Sequence, residues 1–307
     1  MTTNTATTLR VATAAYEVGF LASFADWQKK ISALVAEAAE DGAKVLLLPE
    51  YVSLELTSLF PPAVYQSLKQ QLIELQGLRV PFVAEFVRLA KQHQVVIAAG
   101  TFPVGLATVA GWEQYVNRCY LCYPSGEVHW QDKLQMTRFE REQWGISAGD
   151  ELRVFDTPFG RLAINICYDS EFPLFAHQQV AQGADLILVP SCTDTLAGYH
   201  RVQLSCRARA LENQCFVLQS PTVGEAAWSP AIDVNYGAAG IYSPVDYGFP
   251  DDGIITRLPT NQPGWCYADL DLAELAHVRK AGQVFNYRDW DGQYPFVTPP
   301  LADKPTE

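Results

Sequence analysis

VLLLPE (Val45–Glu50) is an unbroken apolar run closed by Pro49 and an acid, and DLILVPS (Asp185–Ser191) repeats that pattern in the second half of the chain. Runs of this length, apolar throughout and ended by a turn former, read as strands buried on both faces. Two of them, one in each half, predict two sheets packed together with helices outside.

The segments around them fit that frame. Val11–Tyr16 alternates as a strand, and Ser23–Asp41 carries Trp27, Ile31, Leu34, Val35 and Ala38 at helical spacing before Gly42 stops it. Pro62–Leu75 and Pro81–His93 also read as helices, Val95–Val104 as a strand, and Tyr115–Tyr123 with Val128–Met136 as a hairpin turning at Pro124-Ser125-Gly126. Leu152–Thr157 and Arg161–Cys167 form a strand pair through Pro158-Phe159-Gly160. Helices over Pro173–Gln182, Tyr199–Glu212 and Leu272–Lys280, with strands Cys215–Gln219, Ala238–Ser243 and Trp265–Leu270, complete the core. Antiparallel pairs interleaved with strand–helix units argue for stacked layers of sheet and helix, not a (β/α)8 barrel.

The composition sets outer limits. With 307 residues, 49 % hydrophobic, 18 % charged and no linker or low-complexity tract, the chain reads as one domain over 9–280. Residues 1–8 are expected to be frayed, and 281–307 to form an extended aromatic tail against a neighbouring subunit. A net charge of −12 without a basic cluster argues against nucleic acid. No basic-then-apolar leader and no bilayer-length apolar run occur, and the seven scattered cysteines lack framework spacing; a cytoplasmic protein without membrane contact is expected. Cys119 and Cys122 form a CxxC inside a strand, where a separation of three puts them on opposite faces, so neither zinc nor redox chemistry is expected there.

RLAINICYDSEFP (Arg161–Pro173) holds the chemistry. Cys167 closes an alternating strand just before a helix start, a position expected to favour its thiolate. Glu50 and Lys133 also sit at or near strand ends, where α/β sheets gather their catalytic groups. A carboxylate, an ammonium and a thiol are the parts of acyl transfer: base, oxyanion stabiliser and nucleophile.

The segments LLLPE, DKLQM and INICYDSEFP resemble, in order and spacing, the three signature segments of the nitrilase superfamily, the carbon–nitrogen hydrolases with a Glu-Lys-Cys triad. WGISAGD (Trp144–Asp150), RARALENQ (Arg207–Gln214) and Asn235–Pro244 are similar to further stretches of that family. The resemblance implies an α-β-β-α sandwich that pairs with a second subunit, hence a homodimer or larger even-numbered oligomer, and no cofactor or metal. It implies Glu50 as general base, Lys133 as stabiliser of the tetrahedral intermediate, Cys167 as carrier of a thioester and the Tyr168 N–H as part of the oxyanion hole. A second acid lies between lysine and nucleophile in many members; Glu140 and Glu142 compete for it, and the spacing from Gly149-Asp150 favours Glu142.

For substrate, Cys167-Tyr168-Asp169 resembles amide-cleaving members, where nitrilases usually show Trp-Glu. Ser170 and Glu171 stand where many amide-cleaving members carry a basic residue, which points away from acidic amides. Asp194, Tyr199, His200 and Arg201 either line the pocket or begin the next helix; Cys192 reads as structural. The expected reaction is hydrolysis of a small amide or carbamoyl compound, with an acyltransferase or a true nitrilase as the alternatives.

Overall fold

The computed structural model describes residues 8–106 and 114–297, so the first seven residues and the end of the tail, 298–307, lie outside what it describes. One sheet runs in the order Val128–Asp132, Gln114–Cys122, Val96–Leu106, Val45–Leu47, Thr8–Glu17, Gly264–Asp271. A second runs Val154–Thr157, Gly160–Ile164, Leu186–Ser191, Phe216–Glu225, Gly240–Tyr242, Ile254–Arg257. They join at one corner, where Tyr16 and Glu17 pair with Thr222 and Val223.

The unbroken apolar run is explained by parity. Val45 and Leu47 face the second sheet, in a core shared with Leu162, Ile164, Leu186 and Leu188. Leu46 and Leu48 face outward into a second core with Trp27, Ile31 and Val35 of helix Phe24–Glu40 and Phe82 and Phe86 of helix Arg79–His93. Both sides of the strand are dry, so polar residues have no place in it. Helices Pro173–Ala181 and Leu196–Asn213 cover the second sheet through Ala176, Val180, Val202, Cys206 and Ala210, which completes an α-β-β-α sandwich. Cys119 falls in the inter-sheet core and Cys122 in the helix-side core, as their separation requires.

Three local expectations change. Strand Gly160–Ile164 ends three residues before Cys167, which instead opens a 3-10 turn, Cys167–Glu171. Strand Val128–Asp132 ends just short of Lys133. The tail is not extended over 286–297: short helical turns pack on the same chain, with Trp290 stacked on His177 at 4.1 Å and the Tyr287 N–H donating to Gln214. Phe285 and Trp290 are half-buried there, whereas Tyr287, Tyr294 and Phe296 remain exposed.

Gly100 ties the fold to the site. It sits at a register shift of its strand with φ +66°, and a Cβ there would lie 2.2 Å from the Pro49 carbonyl and 2.6 Å from Val52. The close approach lets the Thr101 N–H reach the Pro49 carbonyl, and the Thr101 hydroxyl accept from the Tyr51 N–H at 2.7 Å, on either side of Glu50. Gly100→Ala must push that turn away, and we expect a loss of about 3 kcal/mol, read as a lowered Tm, together with reduced activity in the folded fraction. An unchanged Tm would show that the turn moves freely.

Candidate active site

Glu50 follows strand Val45–Leu47 in a tight turn, with Tyr51 in the left-handed region at φ 57°. Lys133 follows strand Val128–Asp132, its N–H held by the Asn117 carbonyl at 2.8 Å. Cys167 takes φ 49°, a conformation a non-glycine residue holds only where its surroundings enforce it. One enforcing group is Asp169, fully buried, whose carboxylate accepts from the N–H groups of Ile166, Leu134 and Gln135. That carboxylate staples the lysine turn to the nucleophile turn.

Three strand ends thus meet. Lys133 Nζ lies 2.7 Å from Glu50 Oε1 and 2.7 Å from Glu140 Oε2, with all three side chains almost wholly out of solvent. Glu140 also accepts from the Tyr51 hydroxyl at 2.5 Å and from the Thr137 N–H and hydroxyl, each at 2.9 Å. Glu50 Oε2 accepts from the Cys192 N–H at 3.0 Å, and the Cys167 thiol is a further partner of the same carboxylate. Cys167 Sγ also lies 3.8 Å from the Cys192 carbonyl.

The electrostatics separate the two acids. Burial raises Glu50 to about 7; Lys133 opposes the rise and the Glu140 charge adds to it. For Glu140 burial is overridden by the Lys133 ammonium and its hydrogen bonds, so it stays ionised below the usual range. Burial likewise works against the charge of Lys133, yet the two carboxylates hold it protonated well above its ordinary value. Glu140 therefore balances Lys133 and leaves Glu50 poised near neutrality. Cys167 is pushed well up by burial and by Glu50. The expected thiolate-favouring strand end is not what the structure builds: burial and the neighbouring Glu50 both work against the thiolate.

A cavity of about 390 Å³ opens onto Glu50, Lys133, Glu140 and Cys167. Tyr168, Glu171, Asp194 and Arg201 stand on its wall. Tyr199 does not: it is buried beneath helix Leu196–Asn213. His200 points to solvent and pairs with Gln203 on its own helix at 3.2 Å. Nor does Glu142 join the site. It lies outside, in an exposed ion pair with Arg138 at 2.8 Å, while Glu140, the first residue of a wide π-helical turn to Trp144, reaches inward. The family spacing counted residues across this turn, whose wider winding changes which side chain faces in.

Sequence reading missed Tyr51, Trp144, Thr193 and Asp233 on the wall, and took Cys192 as merely structural although its N–H holds Glu50. Tyr51 directly follows the acid and was within reach of a motif-based search; Asp233 comes from a distant loop that carries no local signal.

A buried carboxylate, a buried ammonium and a buried thiol thus converge on one cavity of a four-layer sandwich. The chain belongs to the carbon–nitrogen hydrolase family, whose model matches residues 10–280. It is 33 % identical over 281 residues to the protein named probable hydrolase YhcX of Bacillus subtilis, covering 92 % of this chain but 53 % of that one, so it spans about half that relative's length. It is 28 % identical to the omega-amidase NIT2 of Mus musculus, covering 80 % of this chain and 83 % of that protein. Among solved structures it resembles Saccharomyces cerevisiae Nit3, of the nitrilase superfamily, with a TM-score of 0.69 and 20 % identity over 89 % of this chain and 94 % of that one. No helix among the described residues is long and apolar enough to cross a membrane.

Proposed function

We propose that the protein hydrolyses a small, uncharged or cationic linear amide or carbamoyl compound through a thioester on Cys167. The observation that carries this reading is Lys133 Nζ held between Glu50 and Glu140 on the cavity wall that bears the thiol.

Glu50 takes the thiol proton as sulfur attacks the carbonyl carbon, and Lys133 with the Tyr168 N–H receives the negative charge that forms on oxygen. Protonated Glu50 then gives its proton to the departing nitrogen as the C–N bond breaks. Ammonia or an amine leaves, and the acyl group stays on sulfur. Glu50, ionised again, deprotonates a water that attacks the thioester; acid departs and the thiol is restored. Glu140 stays charged throughout, so Lys133 never needs Glu50 as its sole counter-ion.

The outer wall supports the substrate class. Arg201 pairs with Glu171 at 3.4 Å and Arg138 with Glu142, while Asp194 and Asp233 enter no ion pair among the described residues. Carboxylates are in excess where the far end of a substrate would sit, which opposes a second acid on the substrate. The name of the mouse relative points to ω-amides, yet the wall charge here argues for neutral or cationic ones.

The test is ammonia release from a series of amides and carbamoyl compounds of matched length ending in carboxylate, hydroxyl or ammonium, with Cys167→Ala as control. We expect the acidic member to show kcat/KM at least about tenfold below the neutral one. Glu171→Gln, by freeing Arg201, should narrow that gap by about tenfold. Equal turnover of all three ends, unchanged by Glu171→Gln, would sink the substrate assignment. Adding hydroxylamine and comparing acid with hydroxamate separates hydrolysis from acyl transfer. Leu174, Leu204 and Leu211, exposed on the two helices that cover the second sheet, support pairing with a second copy.

A further inference from the structure

Glu50 has four lone-pair positions, and its surroundings use them unequally. Oε1 accepts from Lys133 Nζ at 2.7 Å and from Asn117 Nδ2 at 2.9 Å. Oε2 accepts the Cys192 N–H, at 3.0 Å, and no other nitrogen or oxygen donor among the described hydrogen bonds. Oε1 is therefore saturated, and the free position for a proton lies on Oε2.

Asn117 sits within strand Gln114–Cys122 and is fully buried. An asparagine at such a site is poorly suited to a strand and carries polar groups into an apolar core. Its side chain binds the base, while its backbone carbonyl accepts the Lys133 N–H at 2.8 Å, so one residue sets both partners. Its Oδ1 has no partner among the described residues. Turning the amide over would set that oxygen against the Glu50 carboxylate, so the orphaned acceptor marks the direction in which the amide is held.

We infer that Asn117 is a positioning residue for the reaction: it occupies Glu50 Oε1, aligns the carboxylate with Lys133 and leaves Oε2 as the oxygen that exchanges protons with Cys167, water and the leaving nitrogen. This rests on the reading of Glu50 as general base.

Removing an N–H donor from an anion disfavours the anion, so the acid limb of kcat/KM, set by Glu50, should move to higher pH. The other groups facing Glu50 are Lys133, Cys167, Glu140, Cys192 and Tyr51, and none of them is altered by a change at 117. A residue that merely filled space would not move this limb.

The experiment is a pH profile of Asn117→Ala and of Asn117→Thr, which keeps a β-compatible side chain too short to reach Glu50. We expect the acid limb to rise by about 0.5–1 in pH, and kcat to fall about 10–100-fold with KM within about threefold. On the unaltered protein, with asparagine selectively 15N-labelled, the Asn117 side-chain amide resonance should titrate with the midpoint of the acid limb. A flat resonance through that range, or a folded variant whose acid limb stays in place, overturns the inference. If Glu50→Gln and Cys167→Ala remain active, the reading of the triad fails instead. If both are inactive while the limb stays in place in the Asn117 variants, only the role of Asn117 fails.

Discussion

On the proposed mechanism Cys167→Ala should abolish ammonia release, and Glu50→Gln should lower kcat by about 10³-fold or more, because the first removes the atom proposed to form the thioester and the second the base proposed for every proton transfer. The two variants should differ in iodoacetamide labelling. The parent thiol is raised by burial and by the Glu50 charge, so Glu50→Gln removes one of the two causes and alkylation at neutral pH should quicken even as turnover is lost, whereas Cys167→Ala leaves no thiol there to label. Stability should move opposite to turnover. Glu50 folds to a value of about 7, above its ordinary carboxylate range, so proton uptake stabilises the fold fully at low pH and that contribution is lost as pH rises through about 7. Above pH 7 two ionised carboxylates share one ammonium. Glu50→Gln therefore raises Tm by several degrees at pH 8, with the gain shrinking toward pH 5. An equal Tm for parent and variant across that range would show that the buried cluster is not the net-negative group described above.

On the proposed mechanism Glu140→Gln should lower kcat by about 10²–10³-fold, whereas Glu142→Gln should stay within about twofold of the parent. Glu140 is the permanent counter-ion of Lys133; without it Glu50 becomes that counter-ion, its proton affinity falls and it ceases to be a base matched to neutral pH. The acid limb of kcat/KM accordingly moves to lower pH in Glu140→Gln, opposite to the direction expected for Asn117→Ala. Glu142, exposed beside Arg138, has no path to the reacting atoms. A large loss in Glu142→Gln with little change in Glu140→Gln would mean the π-helical turn winds differently in the working enzyme.

Motif segments singled out Glu50, Lys133 and Cys167, which the fold brings to one cavity, because each residue closes or follows a segment with a strong apolar pattern. The second acid was harder. Glu140 and Glu142 differ by two positions in a turn whose winding no periodicity announces, and only the inward reach of Glu140 to Lys133, Tyr51 and Thr137 separates them. Asn117 lay in plain view in YVNRCYLCY, yet a polar residue in a strand says only that it has a partner. Asp169 is instructive in another way. It was read as a clue to substrate, but the cavity does not touch it; its carboxylate acts on the backbone of two turns, so the Tyr-Asp pair bears on chemistry through geometry.

The sequence by itself determined the layers and picked out the three side chains, Glu50, Lys133 and Cys167, that meet at the cavity. An unbroken VLLLPE and DLILVPS can be satisfied only between two apolar faces, and the strand ends that follow them have few places to go. What only the tertiary structure decided is the set of protonation states and the shape of the wall. Those depend on Lys133, 83 residues further along the chain, coming within 2.7 Å of Glu50, on Glu140, 90 residues along, coming within 2.7 Å of Lys133, and on how deeply all three are buried.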